Sequence, residues 1–369
     1  MSEEQEKKFW YKVCRTIIKA GQMPFPLTDT LLELIQTLLT KEQAEFILIF
    51  KKPSLNIDQI KAKTSLKGAE LEQMLNTLMD NGIIVGVSSK STGIMVYRLL
   101  PPFPGIFEYT GFRGEKGPKQ KKIAKLFEKL FKEVRELTQK NYDNVVSQMK
   151  NIPAVDRIVP IEKEIEEIPT ENIIPYEEVS KIIDKFDDIA VAHCYCRHQK
   201  DLLGEECKRT NERENCFILG KSAKFVIEHN FGKKISKEEA LKIIKKAEDD
   251  GLVHKTFHVH LNIERDEEAI CNCCPCCCGT FQLYREGIMP YHTITSYKPN
   301  IDESKCVGCG TCVEMCPMET IEMIDIVPQI GEERCIGCGV CAYHCPEDAI
   351  NLIRIGMRDV FIPPIKISK

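Results

Sequence analysis

Residues 306–317 read CVGCGTCVEMCP, and residues 335–346 read CIGCGVCAYHCP. Each is C-x2-C-x2-C-x3-C-P, and the two copies start 29 residues apart. Their flanks repeat as well: IDESKC and IGEERC before, METIEMIDI and EDAINLIRI after. A doubled unit of this kind leaves few folding options. Gaps of two residues let a tight loop present three thiolates to one compact ligand. Gly308, Gly310, Gly337 and Gly339 let the backbone come close to that ligand and aim N–H groups at it. Pro317 and Pro346 fix the chain direction after the last cysteine. A zinc site has no use for two interlocked runs of this form.

Over residues 298–360 the pattern resembles the bacterial-type two-cluster ferredoxins. That resemblance implies two [4Fe–4S] clusters, with the fourth cysteine of each run ligating the cluster of the other run. Carried over by position, Cys306, Cys309 and Cys312 pair with Cys345, while Cys335, Cys338 and Cys341 pair with Cys316. The four glycines would lie against the clusters. From residue 301 onward there are 11 acidic and 6 basic residues. Such a surface suits docking to a basic redox partner, and a merely solvated acidic face would look the same.

The chain has 369 residues, room for two or three domains, and its 43% hydrophobic and 29% charged fractions are those of a globular protein. The net charge of −4 advertises neither nucleic-acid binding nor disorder. No apolar run approaches the ~18–20 residues of a membrane span, and MSEEQEKKFW is too polar for a secretion signal. The expectation is a cytoplasmic protein with no membrane span. In a reducing compartment, 19 cysteines point to metal rather than disulfides. Cys14 alone precedes residue 194, and it reads as a small buried hydrophobe.

Ten cysteines lie between the N-terminal third and the ferredoxin-like runs. DIAVAHCYC, residues 188–196, reads as a buried strand entering a C-x-C pair, Cys194 and Cys196. Cys207 and Cys216 follow. FILGKSAKFVIEHN and SKEEALKIIKKAEDDG read as two helices, the second with a capping box at Ser236 and Glu239. CNCCPCCC, residues 271–278, then closes the set. Two frames interlace within it: Cys271, Cys274 and Cys277 as C-x2-C-x2-C, and Cys273 with Cys276 as C-x2-C. Neighbouring cysteines are expected to face different centres, with Cys278 outside both frames. The ten thiols predict one or two additional [4Fe–4S] clusters, drawn from Cys194, Cys196, Cys207, Cys216, Cys271, Cys273, Cys274, Cys276 and Cys277. One cluster beside a reactive thiol pair is the other option. His193 and His198 read as hydrogen-bonding histidines or as ligands. Cys277, Cys278 and Gly279 are similar to the CCG stretch of heterodisulfide-reductase-type proteins over those three residues alone. Gly220, Lys221 and Ser222 mimic the end of a phosphate-binding loop, but its first glycine is replaced by Asn215 and no preceding strand is expected.

From residue 56 the pattern is helix, turn, helix, hairpin, after helices near residues 28–39 and 42–50. Leu71, Met74, Leu75, Leu78 and Met79 recur at helical spacing, and Asn81-Gly82 ends that helix. Residues 28–100 resemble a winged-helix domain. Its second helix offers Lys67 against Glu70, Glu72 and Asp80, a poor charge set for phosphate contact even with Lys61, Lys63 and Lys90 nearby. Protein docking is therefore preferred to DNA binding. GFRGEKGPKQKK reads as a basic linker. An amphipathic stripe follows, with Ile123, Leu126, Phe127, Leu130, Phe131, Val134 and Leu137 on one face. Residues 151–174, with Pro153, Pro160, Pro169 and Pro175, read as an extended connection.

The expected architecture is a multi-domain α+β chain. It comprises a winged-helix-like domain (1–110), a linker with an amphipathic helix (111–175), a cysteine-rich cluster-binding domain (176–297) and a dicluster ferredoxin domain (298–369). The arrangement resembles large ferredoxin-like proteins of anaerobic bacteria and archaea. The expected function is passing single electrons to partner oxidoreductases. The alternatives are a reductase with an active-site cluster or thiol pair, and a redox-sensing winged-helix regulator.

Overall fold

The computed structural model describes residues 2–21, 25–89, 92–165, 177–258, 262 and 265–367. The chain is of mixed α/β type and forms two compact units that interleave along the sequence. One comprises Met1–Val134, Ala192–Glu206 and Lys221–Lys233, and the other Arg135–Val191, Cys207–Gly220 and Lys234–Lys369.

In the first unit, helix Gly68–Asp80 buries Leu71, Met74, Leu75, Leu78 and Met79, the face set by their three- and four-residue spacing. It ends at Gly82, where φ is +65° and a Cβ would stand 2.4 Å from Tyr109 Cβ. A three-stranded antiparallel sheet follows from β1 (Ser54–Asn56), β2 (Ile84–Ser88) and β3 (Met95–Leu99), in the order β1-β3-β2. Capping boxes Thr40/Gln43 and Asn56/Gln59 start two of the short helices. Cys14 is fully buried, and burial pushes its thiol up to about 12. Lys90 lies outside the described residues.

Two N-terminal expectations need correction. Helix Pro118–Lys140 already starts inside the segment read as a basic linker, because Pro118 suits a first helical turn. Its stripe is also shorter than expected: Ile123, Leu126, Phe127 and Leu130 are buried, but Leu137 is 46% exposed. Phe127 and Phe131 pack on Phe107, at ring-centroid distances of 4.7 and 5.5 Å, and Phe107 packs on Tyr195.

The second unit is organised on a sheet. Its strands are β4 (Asp156–Val159), β5 (Ile189–His193), β6 (Glu214–Leu219), β7 (Lys233–Lys234), β8 (Val253–His258), β9 (Glu267–Cys273) and β10 (Tyr291–Ile301). After a separate hairpin of β11 (Ile321–Ile324) and β12 (Val327–Ile330), β13 (Ile350–Ile362) completes it. The order is β13-β10-β4-β8-β9-β6-β5-β7, with β10 and β4 parallel. Val159, Ile183, Val191, Phe217, Ile244 and Ile270 share its core.

Two stretches read as something else are strands here. The connection after residue 150 contains β4, which is buried at every position and lies between β10 and β8. Its polar start, Asp156-Arg157, hid it from a hydrophobicity reading. Pro169 and Pro175 lie outside the described residues. FIL, read as the start of a helix, is the end of β6, and the helix begins only at Gly220. A strand does therefore precede Gly220-Lys221-Ser222. Lys221 Nζ nevertheless donates to Ser88 O at 2.8 Å, which ties it to protein. Among the described residues no helix is long and apolar enough to cross a membrane.

Candidate metal centres

β10 and β13 run antiparallel from Tyr291↔Ile362 to Ile301↔Ile350, with one irregularity near Ser296. The two cysteine runs are the loops between these long strands, and they fold alike. Cys306 N donates to Asp302 O and Cys335 N to Gly331 O, at 3.2 and 3.1 Å, so each run opens with the same turn. Gly310 and Gly339, both left-handed, then start the short helices Thr311–Met315 and Val340–Tyr343. Gly308 and Gly337 are left-handed too, and they are crowded. A Cβ would stand 2.8 Å from Ile326 O at Gly308 and 2.1 Å from Tyr297 O at Gly337. Only glycine fits there.

Each run lines a hollow together with the last cysteine of the other run. One hollow, of about 340 Å³, is lined by Cys306, Cys309, Cys312 and Cys345 together with Gly308 and Gly310. The second, also about 340 Å³, is lined by Cys335, Cys338, Cys341 and Cys316 together with Gly337 and Gly339. These are the two sets that the ferredoxin resemblance implies. The hollows differ in environment. Cys309 is exposed, and the Thr311 hydroxyl at 3.4 Å lowers its pKa. Cys338 and Cys341 are buried, and burial drives both thiols up.

CNCCPCCC is part strand and part turn, and this division sorts its cysteines. Cys271 and Cys273 close β9, two residues apart and so on one face of the sheet. Cys216 on β6 lies opposite Cys271, as does Lys255 on β8. Cys273 exchanges thiol contacts with Cys271 and Cys278, and these raise its pKa together with burial. Residues 275–277 form a turn, and Cys278 caps the helix Gly279–Arg285.

Cys207, Cys274, Cys276 and Cys277 form a separate group whose sulfurs all lie within 4.8 Å of one another. Cys207 Sγ is 3.7 Å from Cys274 Sγ and 3.6 Å from Cys276 Sγ, and Cys276 and Cys277 are also 3.6 Å apart. Contacts from Cys274, Cys276 and Cys277 lower the Cys207 pKa, while contacts within the same group raise that of Cys277, as expected where four thiols share few protons. The interlaced frames are thus corrected. Cys271 stands with Cys273 and Cys278 rather than with Cys274 and Cys277, and adjacent Cys276 and Cys277 face one point. Alternation of neighbours holds in a strand, and this segment is a turn. Cys278, expected to stand outside the frames, belongs to the Cys271 set.

The structure adds a feature that the sequence reading passed over. Lys255 and Asp156, 1% and 2% exposed, form an ion pair at 2.6 Å. Lys255 Nζ also donates to Thr280 Oγ1 at 3.0 Å, which is 3.3 Å from Cys278 Sγ. Thr293 donates to Asp156. Burial works against the Lys255 ammonium. Asp156, with Tyr291 and the thiols of Cys273 and Cys278, still holds its pKa well above the ordinary value. The only sequence signal was a lysine inside the otherwise strand-like VHKTFH.

In the first unit, Cys194 caps helix Tyr195–Leu203 and Cys196 lies in its first turn, both buried. His198 Nε2 is 2.9 Å from Glu115 O, and burial lowers its pKa, so it sits as a hydrogen-bonded core histidine.

Residues 298–346 match the family model of the 4Fe-4S dicluster domain. Comparison with curated proteins and with solved structures gives no match. The family match, with the clustered cysteines, supports a ferredoxin-type module that binds at least one [4Fe–4S] cluster and an iron–sulfur electron-transfer role.

Proposed function

We propose that the protein passes single electrons to a partner oxidoreductase through two ferredoxin-type [4Fe–4S] clusters. Cys306, Cys309, Cys312 and Cys345 hold the first, and Cys335, Cys338, Cys341 and Cys316 the second. The observation that carries this reading is the pair of hollows, each lined by three cysteines of one run and the fourth of the other. A bound cluster supplies a one-electron couple at each. The chain's part is to supply thiolates, keep water off the buried sulfurs and set the surroundings that tune potential. The first cluster faces the partner, because Cys309 is exposed and Val307 and Ile326 beside it are 62% and 67% exposed. An acidic surface around it favours a basic partner.

The test is EPR on anaerobically loaded protein. Cys345→Ala should convert the Cys306/Cys309/Cys312 cluster to a three-iron form or remove it, and Cys316→Ala should do the same to the other. Damage confined to the cluster of the mutated run would sink the assignment.

Residues 28–100 form a winged-helix-like module that docks protein rather than DNA. Supporting this, Asp80 on its second long helix is bonded to His229 Nδ1 at 2.6 Å, and Glu70 and Glu72 stay on the surface. In the second unit, Cys216, Cys271, Cys273 and Cys278 are the thiols for an additional [4Fe–4S] cluster, whose binding would have to spread the Cys273 sulfur from those of Cys271 and Cys278. A second reading, a reductase with a working thiol, is favoured by the Lys255–Asp156 pair beside Cys273 and Cys278. Under that reading Cys278→Ser abolishes turnover and leaves iron content intact. Under the carrier reading it lowers iron.

A further inference from the structure

We propose that Cys207, Cys274, Cys276 and Cys277 hold one zinc ion in a closed tetrahedral tetrathiolate site. Four sulfurs bonded to one zinc at ~2.3 Å stand about 3.8 Å apart along the edges of the tetrahedron. The observed separations of 3.6 and 3.7 Å are of that size. In a [4Fe–4S] cluster each thiolate binds a different iron at a different corner, so the cube itself keeps the ligand sulfurs apart.

The same molecule provides the contrast. Among the described residues, the Cys207 group alone brings three or more Cys, His, Asp or Glu ligand atoms within 4.8 Å of one another. The ferredoxin-type cysteines do not converge in this way, and they line hollows of about 340 Å³ instead. One kind of site spreads its sulfurs around an open hollow, and the other gathers them about a point.

Local structure explains the convergence. Pro275 sits in the turn after β9, which Cys278 N closes onto Cys274 O at 3.2 Å. Arg285 Nη1 and Gln282 Nε2 donate to Pro275 O at 2.6 and 2.7 Å and so hold the turn from outside. Ala247 and Leu252 floor the site with apolar surface. Four thiolates fill the coordination shell and leave no position for substrate. The site therefore staples Cys207 to a turn 67 residues further along the chain. Binding releases thiol protons and leaves a doubly negative centre.

The experiment is metal and acid-labile sulfide analysis of the full-length protein, purified anaerobically with its clusters loaded, together with X-ray absorption at the zinc edge. The expected result is one zinc per chain, bound by four sulfurs at ~2.3 Å. Cys207→Ser and Cys276→Ser, at the two less buried positions, should each lose the zinc and keep iron and sulfide unchanged. Should both variants fail to fold, the zinc-edge spectrum of the native protein decides by itself. Zinc absent or bound by nitrogen and oxygen overturns the proposal, as does loss of iron from either variant.

Discussion

Lys255 shows how far one side chain can depend on its neighbours. An ammonium 1% exposed persists in the core because Asp156 lies 2.6 Å away and Thr280 accepts a second hydrogen bond. Removing one partner strands the other charge, which typically costs about 3–5 kcal/mol. Lys255→Met should destabilise by about that much in chemical denaturation. The double replacement Lys255→Met with Asp156→Leu should lose less, since no charge is then left alone. Equal losses would mean that the pair does not act as a unit. Glu177 gives a pH signature. It is 2% exposed, and although burial opposes its charge, Arg354, Ser296 and Tyr297 bring its pKa below the ordinary 4.5. A depressed folded pKa stabilises above 4.5 and is lost as pH falls through the folded value. Glu177→Gln should therefore lower stability at pH 7 and flatten its decline below pH ~4.5, as read by denaturant titration against pH.

The repeated loops predict different tolerances at matched glycines. Gly337 and Gly310 both have positive φ, but a Cβ at Gly337 meets Tyr297 O at 2.1 Å and one at Gly310 meets nothing within 4 Å. Gly310→Ala should cost only the left-handed penalty, ~1–2 kcal/mol, with both EPR signals kept. Gly337→Ala must move backbone and should erase the signal of the second cluster. On the side proposed to face a partner, Ile326 is exposed beside Gly308. Ile326→Glu should slow electron transfer to the partner at unchanged iron content. An unchanged rate would place docking elsewhere.

Taken whole, the chain concentrates its metal chemistry. Sixteen of the eighteen cysteines after residue 193 fall in the unit that contains the ferredoxin-type loops, and Cys194 and Cys196 fall in the other. Within the first unit, Arg113 donates to the carbonyls of Asp80, His229 and Asn230, so that cation is already engaged with protein. The full-length protein should accordingly show no salt-sensitive, sequence-selective retention of DNA fragments. Such retention would revive the regulator reading.

The grouping of cysteines around the two hollows was legible because most of its signal is local. Ligand spacing, the left-handed glycines and the prolines all sit within two runs of twelve residues, and the strand pair β10–β13 only holds them. The helix Gly68–Asp80 was legible for a similar reason, since its period is written in consecutive residues. Long-range pairing decided the rest. β4 escaped notice because Asp156 is tolerable in a core strand only through its ion pair with Lys255, some hundred residues away. The strip CNCCPCCC has one reading as a strand and another as a turn, and both occur. Cys271 and Cys273 follow the alternation of β9, while Pro275 turns the chain so that Cys274, Cys276 and Cys277 meet Cys207. Spacing counts residues, but it does not say where a strand stops, and that point decides which sulfurs share a centre.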